Sequence, residues 1–79
     1  MNIHHLKILP EYFNAILQRQ KMFEVREKRD RDFRIGDEIL LHEMRGKSVT
    51  GRTQIVRITY ILDNPDYCKA GYVILGIDF

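Results

Sequence analysis

The chain has 79 residues, 44% of them hydrophobic and 30% charged, which makes one domain over residues 1–79 with one modest core. A lone cysteine, Cys68, excludes an internal disulfide, and with no signal-peptide pattern a reducing cytoplasm is the expected setting. The longest apolar runs are a few residues, far short of the ~20 that span a bilayer, and a net charge of +2 says little about partners.

Ile3 to Leu9 reads as a first strand, with Leu6 and Ile8 on one face and His5 and Lys7 on the other. Pro10 suits the first turn of a helix, where its missing N–H costs nothing, and Glu11 complements the helix dipole. Phe13, Ile16, Leu17 and Gln20 follow at helical spacing, so Pro10 to Arg19 is predicted as an amphipathic helix. Phe23 and Val25 then alternate with Glu24 and Arg26, the pattern of a strand with its apolar face in the core.

Gly36-Asp37 signals a turn, and Asp37–Met44 reads as a strand through Ile39, Leu40 and Leu41. Arg45-Gly46-Lys47 and Thr50-Gly51-Arg52 punctuate a loop or hairpin. Arg52 to Leu62 is the longest strand, predicted to turn Val56, Ile58, Tyr60 and Leu62 to one face. Asp63-Asn64-Pro65-Asp66 is turn chemistry, and Tyr72–Phe79 closes the chain with Val73, Leu75 and Ile77 on one side. The order β-α-β-β-β-β predicts a mainly β (α+β) fold, a five-stranded pseudo-barrel with one N-terminal helix over an opening.

Charge is concentrated in residues 19–34, which hold seven of the thirteen basic residues against four acidic ones. Lys21, Glu24 and Arg26 stand together there, Glu24 and Arg26 on one strand face. A glutamate on a cleft wall accepts hydrogen bonds from a base, and an arginine offers a rigid fork to phosphate or a base edge. Lysine adds a flexible point charge. The competing reading is an exposed ion pair of Glu24 with Arg26 or Lys21 holding a strand edge, worth only ~0–1 kcal/mol.

His5-Leu6-Lys7-Ile8, the helix, Lys21-x-Phe23-Glu24-x-Arg26, Asp30-Arg31-Asp32-Phe33, Gly36-Asp37 and Gly71-Tyr72-Val73-Ile74-Leu75 together resemble the ASCH domains of the PUA-like superfamily. The similarity is greatest to a short subgroup found in bacteria and phages. It spans nearly the whole chain and implies a PUA-like pseudo-barrel with a cleft between the end of the first helix and the Lys21–Arg26 strand. Superfamily members are linked to RNA binding, to modified-base recognition and, in one branch, to amide hydrolysis on an acetylated cytidine. That branch carries a threonine nucleophile where this chain has Glu24, and its catalytic glutamate lies in a longer C-terminal region, so no catalytic residue is assigned. Many members also have a glycine near the end of the first helix, where this chain offers Gln18-Arg19-Gln20; a different cap or a strained residue is the expected consequence.

The expected function is binding of RNA or a nucleotide-like ligand, with Lys21 and Arg26 as anionic or base-edge contacts and Glu24 as acceptor. Lys7 joins the same cleft if the first strand neighbours the Lys21–Arg26 strand, and Arg29 and Arg31 are rim contacts to phosphate. Asp30 and Asp32 read as turn formers or partners of these arginines, and Tyr72 as a barrel tyrosine with a stacking face to offer. No cofactor is expected, and His4, His5, His42 and Cys68 lack metal-ligand spacing. The alternatives are a hydrolase acting on an acylated nucleoside through Lys21 and Glu24, and a protein–protein adaptor; a monomer is expected.

Overall fold

The computed structural model describes residues 2–29 and 31–79, so Asp30 lies outside the described residues. The elements follow the expected order: β1 (Ile3–Ile8), α1 (Pro10–Leu17), β2 (Phe23–Glu27), β3 (Glu38–Arg45), β4 (Ser48–Leu62) and β5 (Tyr72–Asp78). One sheet holds all five strands in the order β1-β3-β4-β5-β2. β3, β4 and β5 form an antiparallel meander, β2 adds antiparallel to β5, and β1 lies parallel to β3. The two strands that come first in the chain are therefore the two edges of the sheet. The sheet curls into a half-barrel until these edges face each other across a gap, with α1 as the link between them.

Leu6, Ile8, Phe13, Ile16, Ile39, Leu41, Val56, Ile58, Val73, Leu75 and Ile77 form the buried core, and Phe33 and Ile61 pack against it. β1 and β5 keep their predicted faces, and β3 buries Ile39 and Leu41. Of the loop or hairpin expected between β3 and β4, the hairpin forms: Arg45 pairs with Ser48 across Gly46-Lys47. Gly46, at φ +63°, takes the positive φ that a two-residue hairpin favours at its first turn position.

Two predicted faces are wrong. In β4, Ile58 pairs with Ile77 and Tyr60 with Gly76, so Thr59 is an extra residue in a bulge. One inserted residue reverses a period of two, so Ile61 packs on the core while Tyr60 is 63% exposed. In β2, Glu24 pairs with Leu75 and Arg26 with Val73, which places the charged pair on the core side. Phe23 and Val25 stand on the outer face, 45% and 51% exposed. Alternation identifies two faces of a strand but not which one is inside, and at this edge the inner face borders the gap.

α1 buries Phe13 and Ile16 and stops at Leu17, two residues before the predicted end. Arg19 adopts φ +59°, Gln20 N–H donates to Ala15 O at 2.8 Å and Arg19 N–H to Ile16 O at 2.9 Å. This is a Schellman ending with arginine at the position that favours glycine, so Arg19 is the strained residue the missing glycine implied. Its guanidinium lies 3.3 Å from Asp78 and 4.6 Å from the centre of the Phe79 ring.

Asp37 is buried in the turn before β3. It accepts from His4 Nε2 at 2.8 Å, the Arg34 amide at 3.1 Å and the Asn2 amide at 3.4 Å. The turn between β2 and β3 is thereby tied to the start of β1. The His4 hydrogen bond, helped by the two amides, holds the Asp37 carboxyl below the ordinary aspartate range, against the opposing effect of burial.

Two outcomes follow from these features. Arg19→Gly will be more stable than Arg19→Ala by about 1 kcal/mol in urea unfolding, because both lose the side chain and only alanine keeps the left-handed strain. Equal stabilities would remove the strain argument. For Asp37, folding depresses the carboxyl pKa, so its stabilisation is full above the unfolded value and is lost as pH falls through the folded one. Asp37→Asn will therefore cost stability at pH 7, and the difference from wild type will shrink below about pH 4. A difference that stays constant from pH 7 to pH 2 would contradict this assignment.

Candidate functional site

The site is built on the inner face of β2, where it meets the gap. Glu24 is buried, its side chain only 5% exposed, and both carboxylate oxygens are engaged. Lys21 Nζ contacts Oε1 and also donates to Phe23 O at 2.8 Å; Arg26 Nε donates to Oε2 at 2.9 Å. A carboxylate in this position needs such partners, since an unpaired buried charge costs several kcal/mol. No buried side-chain polar atom among the described residues lacks a hydrogen-bond partner. The exposed strand-edge ion pair considered from the sequence is thus a buried three-membered cluster with Glu24 at its centre.

Arg26 reaches further. Its Nη2 donates to the Lys7 carbonyl at 2.7 Å, across the gap to the edge of β1. Arg31 Nη1 does the same to the His5 carbonyl at 3.2 Å. Two arginine side chains thus span the gap between β1 and β2.

Beside this seam lies a cleft of about 540 Å³, a size suited to a nucleotide-sized ligand. Ile8, Leu9, Tyr12, Phe23 and Val25 contribute most of its apolar lining, with Lys7, Lys21, Glu24 and Arg26 around them. The Lys21 ammonium stands 5.4 Å from the centre of the Tyr12 ring and 5.0 Å from that of Phe23, both within cation–π range. Lys7 sits at the edge of this cleft, but its carbonyl, not its ammonium, is what Arg26 binds.

A second, smaller recess of about 250 Å³ adjoins it and is lined by Leu6, Arg26, Glu27, Arg29, Arg31 and Phe33. Arg29 adopts φ +47°, and its Nε lies 3.2 Å from Glu27. All six residues singled out in the sequence therefore line one of two cavities, and Arg26 belongs to both. Other charged residues of the run lie elsewhere. Lys28 pairs with Asp63, Arg34 pairs with Asp32, and Tyr72 stacks under Lys69 on the outer face.

A third buried carboxylate, besides Glu24 and Asp37, was not singled out from the sequence. Glu43 accepts from Thr50 Oγ1 at 2.7 Å and lies 3.4 Å from Arg52 Nη1. It stands opposite a bulge: His42 pairs with Thr53 and Met44 with Val49, which leaves Thr50-Gly51-Arg52 facing Glu43 alone. Gly51, at φ +93°, permits the detour. Glu43 shares parity with the core residues Ile39 and Leu41, and that was the available signal. Arg52 also reaches Asn14 at 3.2 Å and stacks on Phe13, so the cluster anchors α1. His5 Nδ1 and His42 Nε2 are 3.0 Å apart, and no group of three or more metal-ligating side chains occurs among the described residues.

The Glu24 cluster has an asymmetric energetic consequence. Removing one cation leaves Glu24 with the other, whereas removing its charge leaves two half-buried cations with weakened anchors. Glu24→Gln will cost roughly 2 kcal/mol in urea unfolding, below the full buried-pair value because Lys21 and Arg26 reach water. Lys21→Met will cost less than Glu24→Gln. A larger loss in Lys21→Met would mean that Glu24 is not the centre of the cluster.

Against this geometry, two likenesses to known proteins are found. The chain is 38% identical over 73 residues, 92% of its length, to the "Uncharacterized 12.9 kDa protein in GpA 3'region" of Escherichia phage P2. It spans 65% of that relative's length. No helix among the described residues is long and apolar enough to cross a membrane. Residues 3–77, nearly the whole sheet and helix, match a family model, and the chain belongs to the family described as "Domain of unknown function (DUF3850)".

Proposed function

We propose that this protein is a PUA-like module that binds RNA or a nucleotide-like ligand in the seam between β1 and β2, acting as a monomer in the cytoplasm. The observation that carries this reading is the composition of the seam cleft: apolar and aromatic walls beside two cations that a buried carboxylate holds in place. A base needs a flat apolar contact and donors at its edge, and a phosphate needs cations. Tyr12 and Phe23 offer the first, Lys21 and Arg26 the second. Glu24 has its oxygens against Lys21 and Arg26, so it orients them first and accepts from a ligand second. Arg29 and Arg31 extend the basic surface as phosphate contacts.

A hydrolytic reading is weaker. Lys21 Nζ donates to both Glu24 and Phe23 O, and a nucleophilic amine would have to give up these bonds.

Fluorescence anisotropy with short single-stranded RNA tests the proposal. If about three phosphates are neutralised, log affinity falls with log salt at a slope of roughly −2, so going from 50 to 200 mM salt weakens binding by at least about tenfold. Lys21→Met will weaken binding by about tenfold, the loss of one charge-assisted contact. Salt-independent binding of RNA, or no binding to any RNA, single-stranded DNA, nucleotide or nucleoside, would overturn the proposal.

A further inference from the structure

The two cavities at the seam differ in chemistry in a way that selects among nucleotide ligands. The larger has apolar walls. The smaller is lined by three guanidiniums, Arg26, Arg29 and Arg31, with Glu27 the carboxylate among its described lining residues; Arg26 is already paired with Glu24, which leaves Arg29 and Arg31 beside Glu27. A guanidinium carries about five N–H donors. Among the described residues, Arg29 directs Nε toward Glu27, Arg31 gives Nη1 to His5 O, and Arg26 is held by Glu24 through Nε and Nη2 and by Lys7 O through Nη2. Among the described residues, Arg29 and Arg31 thus keep guanidinium N–H groups that bond no other side chain or carbonyl. Arg29 reaches this position through a left-handed backbone conformation, φ +47°, that L-residues adopt only at a cost.

An internal phosphodiester brings one negative charge. A terminal phosphate monoester brings about −1.5 to −2 at pH 7 and three strong acceptor oxygens. The second makes fuller use of the forked donors of Arg29 and Arg31. Arg26 belongs to both cavities, so a ligand with its ring in the larger can place a phosphate in the smaller.

We infer that the smaller recess is a terminal-phosphate site, so that the ligand is a nucleoside monophosphate, free or as the phosphorylated end of a single strand. This inference rests on the nucleotide reading of the larger cleft. Arg29 and Arg31 are then specificity contacts for a phosphate end.

Calorimetric titration of the full chain tests it, comparing nucleosides with their 5′-monophosphates, and short oligoribonucleotides with hydroxyl ends against the same oligonucleotides with a 5′- or 3′-phosphate. The phosphate will tighten binding by about tenfold or more. That ratio will fall in Arg29→Gln and fall to within about threefold of unity in the double variant Arg29→Gln/Arg31→Gln. Arg29→Gln alone leaves the Arg31 strap in place, so the ratio remains measurable if the double variant unfolds. A gain seen with mononucleotides identifies the free nucleotide as the source; a gain confined to oligonucleotides identifies a strand end. Equal affinities with and without the terminal phosphate, or a gain unchanged in Arg29→Gln, would overturn the inference and leave the nucleotide reading standing. Failure of every nucleoside, nucleotide and oligonucleotide to bind would overturn both.

Discussion

The open edge of the half-barrel is governed by one buried carboxylate. A curled five-stranded sheet leaves two edges whose outward N–H and C=O groups need partners, and pairing those edges would close the barrel. Here the edges are bridged by side chains. Arg26 reaches the Lys7 carbonyl and Arg31 the His5 carbonyl, and Glu24 fixes Arg26 at the base of its reach. The span of a guanidinium, rather than a backbone hydrogen bond, sets the local width of the seam. A cleft remains between β1, β2 and α1 as a consequence.

The same arrangement separates what holds the fold from what forms the site. Apolar residues of β1, α1, β3, β4 and β5 fill the centre, and β2 contributes no residue to that buried set. β2 instead supplies charged inner positions that bind one another. Glu43 plays a parallel part on β3, where the bulge in β4 brings Thr50 and Arg52 over it and Arg52 continues to Asn14 on α1. Each of these buried glutamates is placed by strand parity, Glu24 paired with cations two and three residues away and Glu43 with Arg52 of the neighbouring strand. A domain of this size has little hydrophobic surplus to offset a mistake in either cluster.

Most of the architecture was legible because its signals are local. Pro10 and Glu11 mark the start of α1, Gly46-Lys47 marks the hairpin, and Val73, Leu75 and Ile77 mark the inner face of β5. The absence of glycine after the first helix left a different cap or a strained residue as the two outcomes, and Arg19 carries the strain. What was not legible depends on pairing. The Thr59 bulge cannot be seen until Ile58 and Tyr60 are matched to Ile77 and Gly76. The inward turn of Glu24 and Arg26 follows from β2 lying beside β5 at an edge, a long-range choice that makes Phe23 and Val25 the outer face. The trio of Lys21, Glu24 and Arg26 was visible as a cluster, but its burial, its reach to Lys7 and the aromatic walls of the cleft were set by tertiary placement.

Ligand binding in the seam is open to backbone amide chemical-shift mapping of the full chain during titration with a short RNA. Perturbations are expected to concentrate at Lys7, Tyr12, Lys21, Phe23, Glu24 and Arg26, extending to Arg29 and Arg31. Perturbations confined to the outer face around Tyr60, Leu62 and Ile74, with the seam amides unmoved, would contradict it.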